Sequence, residues 1–268
     1  MRDVGHVLDV VRIQLTNWRW SWPSMVLTGM ITPIVSLLAL GAMSSDTAAK
    51  PHIFAGALTI ALLFEMQNKI AANFSHMTDT GAFEFFASLP LRRESLIAGT
   101  LAAFLLLALP ALVVTTVVGW AVLDLRFTPN VLAVPPVVCA VAAFAGIGAI
   151  IGAGSSSPNQ ASGLSLAVTV LLSGAGPVVI PPDRLPSWLR AVGPYNPAAL
   201  ASDSLRALST GASTYGLLWN LIGLTLFAAL VLLLVRRVIP WRGRERPCRP
   251  LVISRRAPRP RQLGRRTM

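Results

Sequence analysis

The chain has 268 residues, 54% of them hydrophobic and 13% charged, whereas soluble globular proteins run about 45–50% apolar and about 25% charged. An ordinary aqueous fold is excluded. The formal net charge of +12 sits at one end: twelve arginines and one acid from Arg236 onward carry +11, and the preceding 235 residues carry +1.

Residues 3–19 place Val4, Val7, Leu8, Val11, Leu15 and Trp18 at i, i+3, i+4 intervals, with Arg2, Asp3, His6, Asp9 and Arg12 on other faces. This predicts an amphipathic helix lying on the inner leaflet, in a cytoplasmic interface unit of residues 1–20. The alternative is a helix packed on a partner subunit. Trp18, Trp20 and Trp22 follow at the water boundary, where indoles concentrate.

Apolar segments then fall at about 21–43, 53–72, 96–120, 131–153, 161–180 and 215–235. Each approaches the roughly 20 residues that cross about 30 Å of hydrocarbon at about 1.5 Å per residue. The expected fold class is all-α: a polytopic membrane protein with six transmembrane helices in residues 21–238. An even number of spans puts both termini on one side. If that side is cytoplasmic, eighteen basic residues lie inside and five outside, the direction the positive-inside rule requires.

The second span carries Glu65, with Asn68 and Lys69 on the same face. Glu65 and Lys69 stand at i, i+4 in the favourable order and can neutralise one another. Two readings stand open: these residues line a translocation route, or the span ends near Met66 and the pair is solvated on a cytoplasmic extension. In the fourth span, Gly148 and Gly152 have the spacing that lets helix backbones approach, and intrachain packing is favoured over a dimer seam.

Between spans two and three, residues 77–94 hold Phe83, Phe85 and Phe86 in four positions, with Asp79, Gly81, Glu84, Leu89, Pro90, Arg92 and Arg93 around them. The segment is short and stopped at Pro90. All three rings are therefore expected to be exposed as an interaction patch, or else laid back on the lipid surface. Span five is interrupted at Gly174-Ala175-Gly176-Pro177, so residues 174–209 form an outer re-entrant and interfacial segment, with its broken end a candidate gate. Two short interfacial helices are expected there, with Trp188 and Tyr195 at headgroup level and Asp203 paired with Arg206 at i, i+3.

Catalytic chemistry is thinly supplied. The only lysines, Lys50 and Lys69, follow no phosphate-cradling loop. His6, His52, His76, Cys139 and Cys248 share no ligand spacing, so no metal site or disulfide framework is expected. The chain is expected to be non-catalytic and to hold no cofactor.

Two segments together resemble the type-2 ABC exporter permeases, the drug-resistance kind encoded apart from the ATPase. The inner one is Asp79, Gly81, Glu84, Leu89 and Pro90; the outer one is Leu185, Pro186, Trp188, Asn196, Pro197, Asp203 and Arg206. The resemblance spans about residues 1–238 and departs at Thr80, where a basic residue often stands. It implies a prokaryotic plasma-membrane permease, two such six-span subunits (identical or homologous), and two separate ATPase subunits that bind the ATP and magnesium. It also implies that the N-terminal helix and loop 77–94 transmit ATPase closure, and that residues 185–206 form an outer lid.

Residues 239–268, arginine-rich with Pro247, Pro250, Pro258 and Pro260, are expected to be a disordered cytoplasmic tail attracted to anionic lipid. No aromatic stacking platform accompanies the arginines, so no specific nucleic-acid partner is expected. The leading function is export of amphipathic drug-, antibiotic- or lipid-like molecules, driven by the partner ATPase. The rival is an ion-coupled secondary carrier or channel using Glu65 and Lys69, which calls for paired broken helices where one broken segment is evident.

Overall fold

A computed structural model describes residues 2–17, 22–43, 49–89, 91–123, 132, 134–210 and 214–239. The basic tail from residue 240, Pro90, Trp18 and Trp20 lie outside the described residues. Those described are almost wholly helical and contain no strand. In chain order they form α1 (Arg2–Asn17), α2 (Trp22–Met43), α3 (Lys50–Leu62), a π-helical turn (Leu63–Asn68), α4 (Lys69–Asp79), α5 (Ala82–Ser88), α6 (Arg93–Leu123), α7 (Val134–Gly154) and α8 (Pro158–Gly174). The shorter helices α9 (Ser187–Val192) and α10 (Pro197–Thr210) follow, and then α11 (Thr214–Val238).

Four helices among the described residues are long and apolar enough to cross a membrane: Lys50–Asp79, Arg93–Leu123, Val134–Gly154 and Gly216–Val238. At the first expected span, α2 contains a shorter apolar helix, Gly29–Ala39. At the fifth, α8 runs 17 residues, about 25 Å at about 1.5 Å per residue.

The rod formed by α3, the π turn and α4 is the centre of the bundle. Its most apolar window is 72% buried, against 28% for α6 and 22% for α11. Met66 and Phe74 of the rod share one core cluster with Phe104 of α6 and Phe144 of α7, all with almost no exposure. Close approach of α7 depends on glycine: a Cβ on Gly148 would collide with the Gln67 carbonyl, and one on Gly152 would lie 2.9 Å from Phe74 Cβ. The small-residue spacing thus serves contacts within the chain, as its sequence reading favoured.

The N-terminal helix exists, and its apolar face is used within the chain. Val10 is fully buried against α6, where a Cβ on Gly99 would come within 2.7 Å of Val10 Cβ. Gln14 Nε2 donates to Thr100 Oγ1 at 3.4 Å. Part of the apolar face is thus covered within the chain: glycine and small residues at the start of α6 open a groove that takes Val10 and Val11, and Leu8 and Ile13 remain exposed.

Candidate functional site

At the C-terminal end of the rod, α4 stops where Thr80 turns back on it. The Thr80 backbone N–H and Oγ1 both bond the His76 carbonyl, at 2.9 and 2.8 Å. Gly81 then takes a left-handed φ of 71°, a conformation open to glycine without steric cost. A Cβ there would also press on the Glu84 carboxylate at 2.7 Å. This reversal starts α5 with Glu84 in its first turn, where a negative charge complements the helix dipole.

The three phenylalanines do not share one fate. Phe83 and Phe86 are buried, 4% and 7% exposed, while Phe85 is 64% exposed. Phe83 meets Phe74 edge-on with centroids 5.6 Å apart. The expectation that all three rings are exposed is corrected, because i, i+3 spacing puts Phe83 and Phe86 on one helical face and the Gly81 reversal folds that face onto α4. Asp79, Glu84 and Arg92 are exposed near Phe85 in the chain, and Leu89 packs against the core. Arg93 donates from Nη2 to the Ile239 carbonyl.

Beside α5, a cleft of about 760 Å³ opens between α1 and the end of α4, lined among others by Arg12, Gln14, Asn17, Asn73, His76 and Phe86. None of these but Phe86 was a site residue on sequence grounds. Only the docking of α1 beside α4 brings residues some 60 positions apart together.

Midway along the Lys50–Asp79 rod, Glu65 is 1% exposed and accepts from Lys69 Nζ at 2.5 Å, with Lys69 itself at 14%. The reading of a solvated pair on an early-ending span is corrected at Glu65, which is buried: Asn73 and Ser75 are buried after it, whereas Asn68 and Lys69 are half-buried and His76 is exposed. Glu65 fits because α2 offers Gly29 opposite it, and a Cβ there would overlap the Glu65 carboxylate. One turn on, Gln67 Nε2 donates to the Ser165 carbonyl at 3.0 Å and to Thr169 Oγ1 at 3.1 Å, and Thr169 lies 3.5 Å from Asn68 Oδ1. The extra residue of a π turn re-aims the side chains that follow it; here it joins the acidic position to α2 and the amides to α8. Gly29, Gln67, Ser165 and Thr169 were missed, although Ser165 and Thr169 stand at i, i+4 in an apolar helix.

At the other end, α8 breaks where expected. Residues 175–180 run on irregularly, with Gly176 at φ 139°, and Val178 is fully buried. The freed carbonyls find partners: Asn196 Nδ2 donates to Leu172 and Ala175, each at 2.7 Å, and Ser202 Oγ donates to Val178 at 2.6 Å. The Asn196 Oδ1 also accepts from the Ala198 N–H at 2.9 Å, capping α10. Trp188 and Tyr195 are exposed around α9, and Leu185 and Pro186 precede it. Two helices stand in this segment, and they differ in packing: α9 has no buried residue, whereas α10 has Asn196, Pro197 and residues 198–202 buried, packing on α3 and α11. Asp203 and Arg206 pair at 3.1 Å.

The ends of the rod are thus marked by a glycine-reversed hairpin helix and by an asparagine-pinned irregular turn. The profile of the ABC-2 type transporter family matches residues 10–210, which take in both ends. A daunorubicin resistance ABC transporter permease protein, DrrB1, of Streptomyces coeruleorubidus is 24% identical over 214 residues, covering 76% of this chain and 74% of that protein. The chain belongs to the ABC-2 type transporter family.

Proposed function

We propose that this protein is the permease subunit of an ATP-driven exporter that moves amphipathic drug-, antibiotic- or lipid-like molecules out across a prokaryotic plasma membrane. Energy comes from a separate ATPase subunit. In this reading α2, the Lys50–Asp79 rod, α6, α7, α8 with its re-entrant turn, and α11 make six spans. Both termini are cytoplasmic, which places eighteen basic residues inside and five outside. Two copies enclose the pathway and two ATPases dock beneath.

The observation that carries the reading is the inner hairpin. Phe85, 64% exposed on a helix held rigidly by Gly81 and the Phe83–Phe74 contact, stands out from an otherwise packed segment, and an exposed aromatic rimmed by Asp79, Glu84 and Arg92 suits a protein partner. The cleft between α1 and α4 gives that partner a second hold. A push on α5 passes directly into α4 and on to the buried Glu65 and half-buried Asn68 and Lys69, which we assign to the pathway wall. The drug-resistance relative supports the amphipathic substrate class.

The buried Glu65–Lys69 pair also suits an ion-coupled carrier. Co-expression with the ATPase and reconstitution in proteoliposomes separate the two: transport that requires ATP and the ATPase supports the exporter, and transport driven by an imposed ion gradient without either overturns it.

A further inference from the structure

Both α7 and α8 pack on the rod, and they hold it by opposite chemistries. The first of them, α7, buries ten residues, none polar, and brings its backbone against the rod at Gly148 and Gly152. By contrast α8 buries Ala161, Ser165 and Thr169, two of which carry hydroxyls. Spaced four apart, they make one narrow strip along the helix, and Leu164, Leu166, Val170 and Leu171 are exposed on its other faces.

The strip meets Gln67, itself without exposure. Gln67 Nε2 donates twice, to the Ser165 carbonyl and to Thr169 Oγ1, and Thr169 Oγ1 reaches on to Asn68 Oδ1. The same contact leaves two atoms unpaired: Gln67 Oε1 and Ser165 Oγ are buried with no hydrogen-bond partner among the described residues. A half-satisfied polar seam is weaker than an apolar one, because each unpaired atom has lost its water without a replacement. Parting the seam restores a partner to both.

The two ends of α8 fit such a movement. One end is pinned, since Asn196 Nδ2 donates to the Leu172 and Ala175 carbonyls. At the other the bonds are local: Gln160 Oε1 accepts from Ser156, and Ser157 Oγ accepts from the Gln160 N–H. Between them, a Cβ on Gly163 would meet nothing within 4 Å.

We propose that α8 is a hinged wall of the transport route, closed against the rod in this structure and released from it during the cycle, with Gln67 as the positioning residue that sets the balance. The pivot is the end pinned by Asn196, and the apolar α7 seam stays shut. Opening admits water to Gln67, Ser165 and Thr169 beside Asn68, a residue of the pathway wall in the exporter reading. The hinge rests on that reading.

The test reconstitutes the full-length chain, carrying Cys139→Ser and Cys248→Ser, with its ATPase in proteoliposomes. To this parent is added Ser165→Cys or, buried on α7, Ala149→Cys, and a small water-soluble maleimide reads access to each. ATP turnover should speed labelling of Ser165→Cys severalfold and leave Ala149→Cys unlabelled. Gln67→Leu with Thr169→Val makes the seam apolar. That variant should bind the ATPase normally and transport about ten-fold more slowly, the shift expected when one unpaired buried atom leaves the closed state. Equal labelling of Ser165→Cys with and without ATP, labelling of Ala149→Cys to the same extent, or parental transport by the apolar variant would each overturn the hinge, while ATP-driven transport by the parent keeps the exporter reading standing. Absence of that transport overturns both.

Discussion

Phe83 and Phe85 lie two residues apart and should respond to truncation in opposite ways. Phe83 is 4% exposed and stacks on Phe74. Its truncation to alanine removes a buried ring from the α4–α5 junction, a change that costs about 3–5 kcal/mol, of which the edge-on contact accounts for about 0.5–1.5 kcal/mol. Phe85 is 64% exposed, so little is lost from the isolated subunit, within about 0.5 kcal/mol. If the ATPase covers that exposed two-thirds, truncation forfeits about 1–2 kcal/mol of the roughly 1.5–3 kcal/mol available from full burial. That is about a 5- to 30-fold loss of association. Thermal unfolding in detergent should show a marked drop for Phe83→Ala and almost none for Phe85→Ala. ATPase titration by fluorescence anisotropy should show the loss for Phe85→Ala, together with hydrolysis uncoupled from export. Equal destabilisation by both variants, or full ATPase affinity in Phe85→Ala, would refute the division of this helix into a packed face and a docking face.

Asn196→Ala leaves the Leu172 and Ala175 carbonyls without their donor and α10 without its cap; a loss of about 2–4 kcal/mol should appear as a lowered melting temperature and as protease cleavage near residues 175–180. Gly148→Val drives a branched side chain into the Gln67 backbone, which cannot retreat as a side chain can, and should lower stability by at least the roughly 1–3 kcal/mol of overpacking, read by thermal unfolding. Glu65→Gln keeps shape and removes charge, and Gly29→Ala displaces the same carboxylate from the α2 side; both should lower or re-tune transport with the ATPase still bound, and normal transport in both would remove Glu65 from the pathway. The purified chain alone should neither bind nor hydrolyse ATP, tested with a fluorescent nucleotide and a phosphate-release assay, because Lys50 and Lys69 follow no phosphate-cradling loop.

Much of the architecture was written in local pattern. Long apolar runs and the Gly-Pro interruption after Gly174 act through the backbone and nearest turns, so helix positions and the break of α8 could be read from residues adjacent in the chain. The Asp203–Arg206 pair is likewise an i, i+3 relation that needs only a helix. Family membership was legible for the same reason, since the two motifs are contiguous strings.

What tertiary structure alone decided is which face of each element meets which neighbour. Glu65 looked solvated because its own flanking residues are polar; it is buried because Gly29, thirty-six positions earlier, leaves room for a carboxylate. Phe83 became core and Phe85 surface only once α5 folded back on Phe74. Part of the N-terminal stripe, Val10 and Val11, found a groove in α6, since apolar periodicity specifies that a face is covered and carries no information about what covers it. The Gln67–Ser165–Thr169 contacts and the cleft between α1 and α4 join residues about 60 to 100 positions apart. Their energies depend on side-chain packing between distant helices, which no local period encodes.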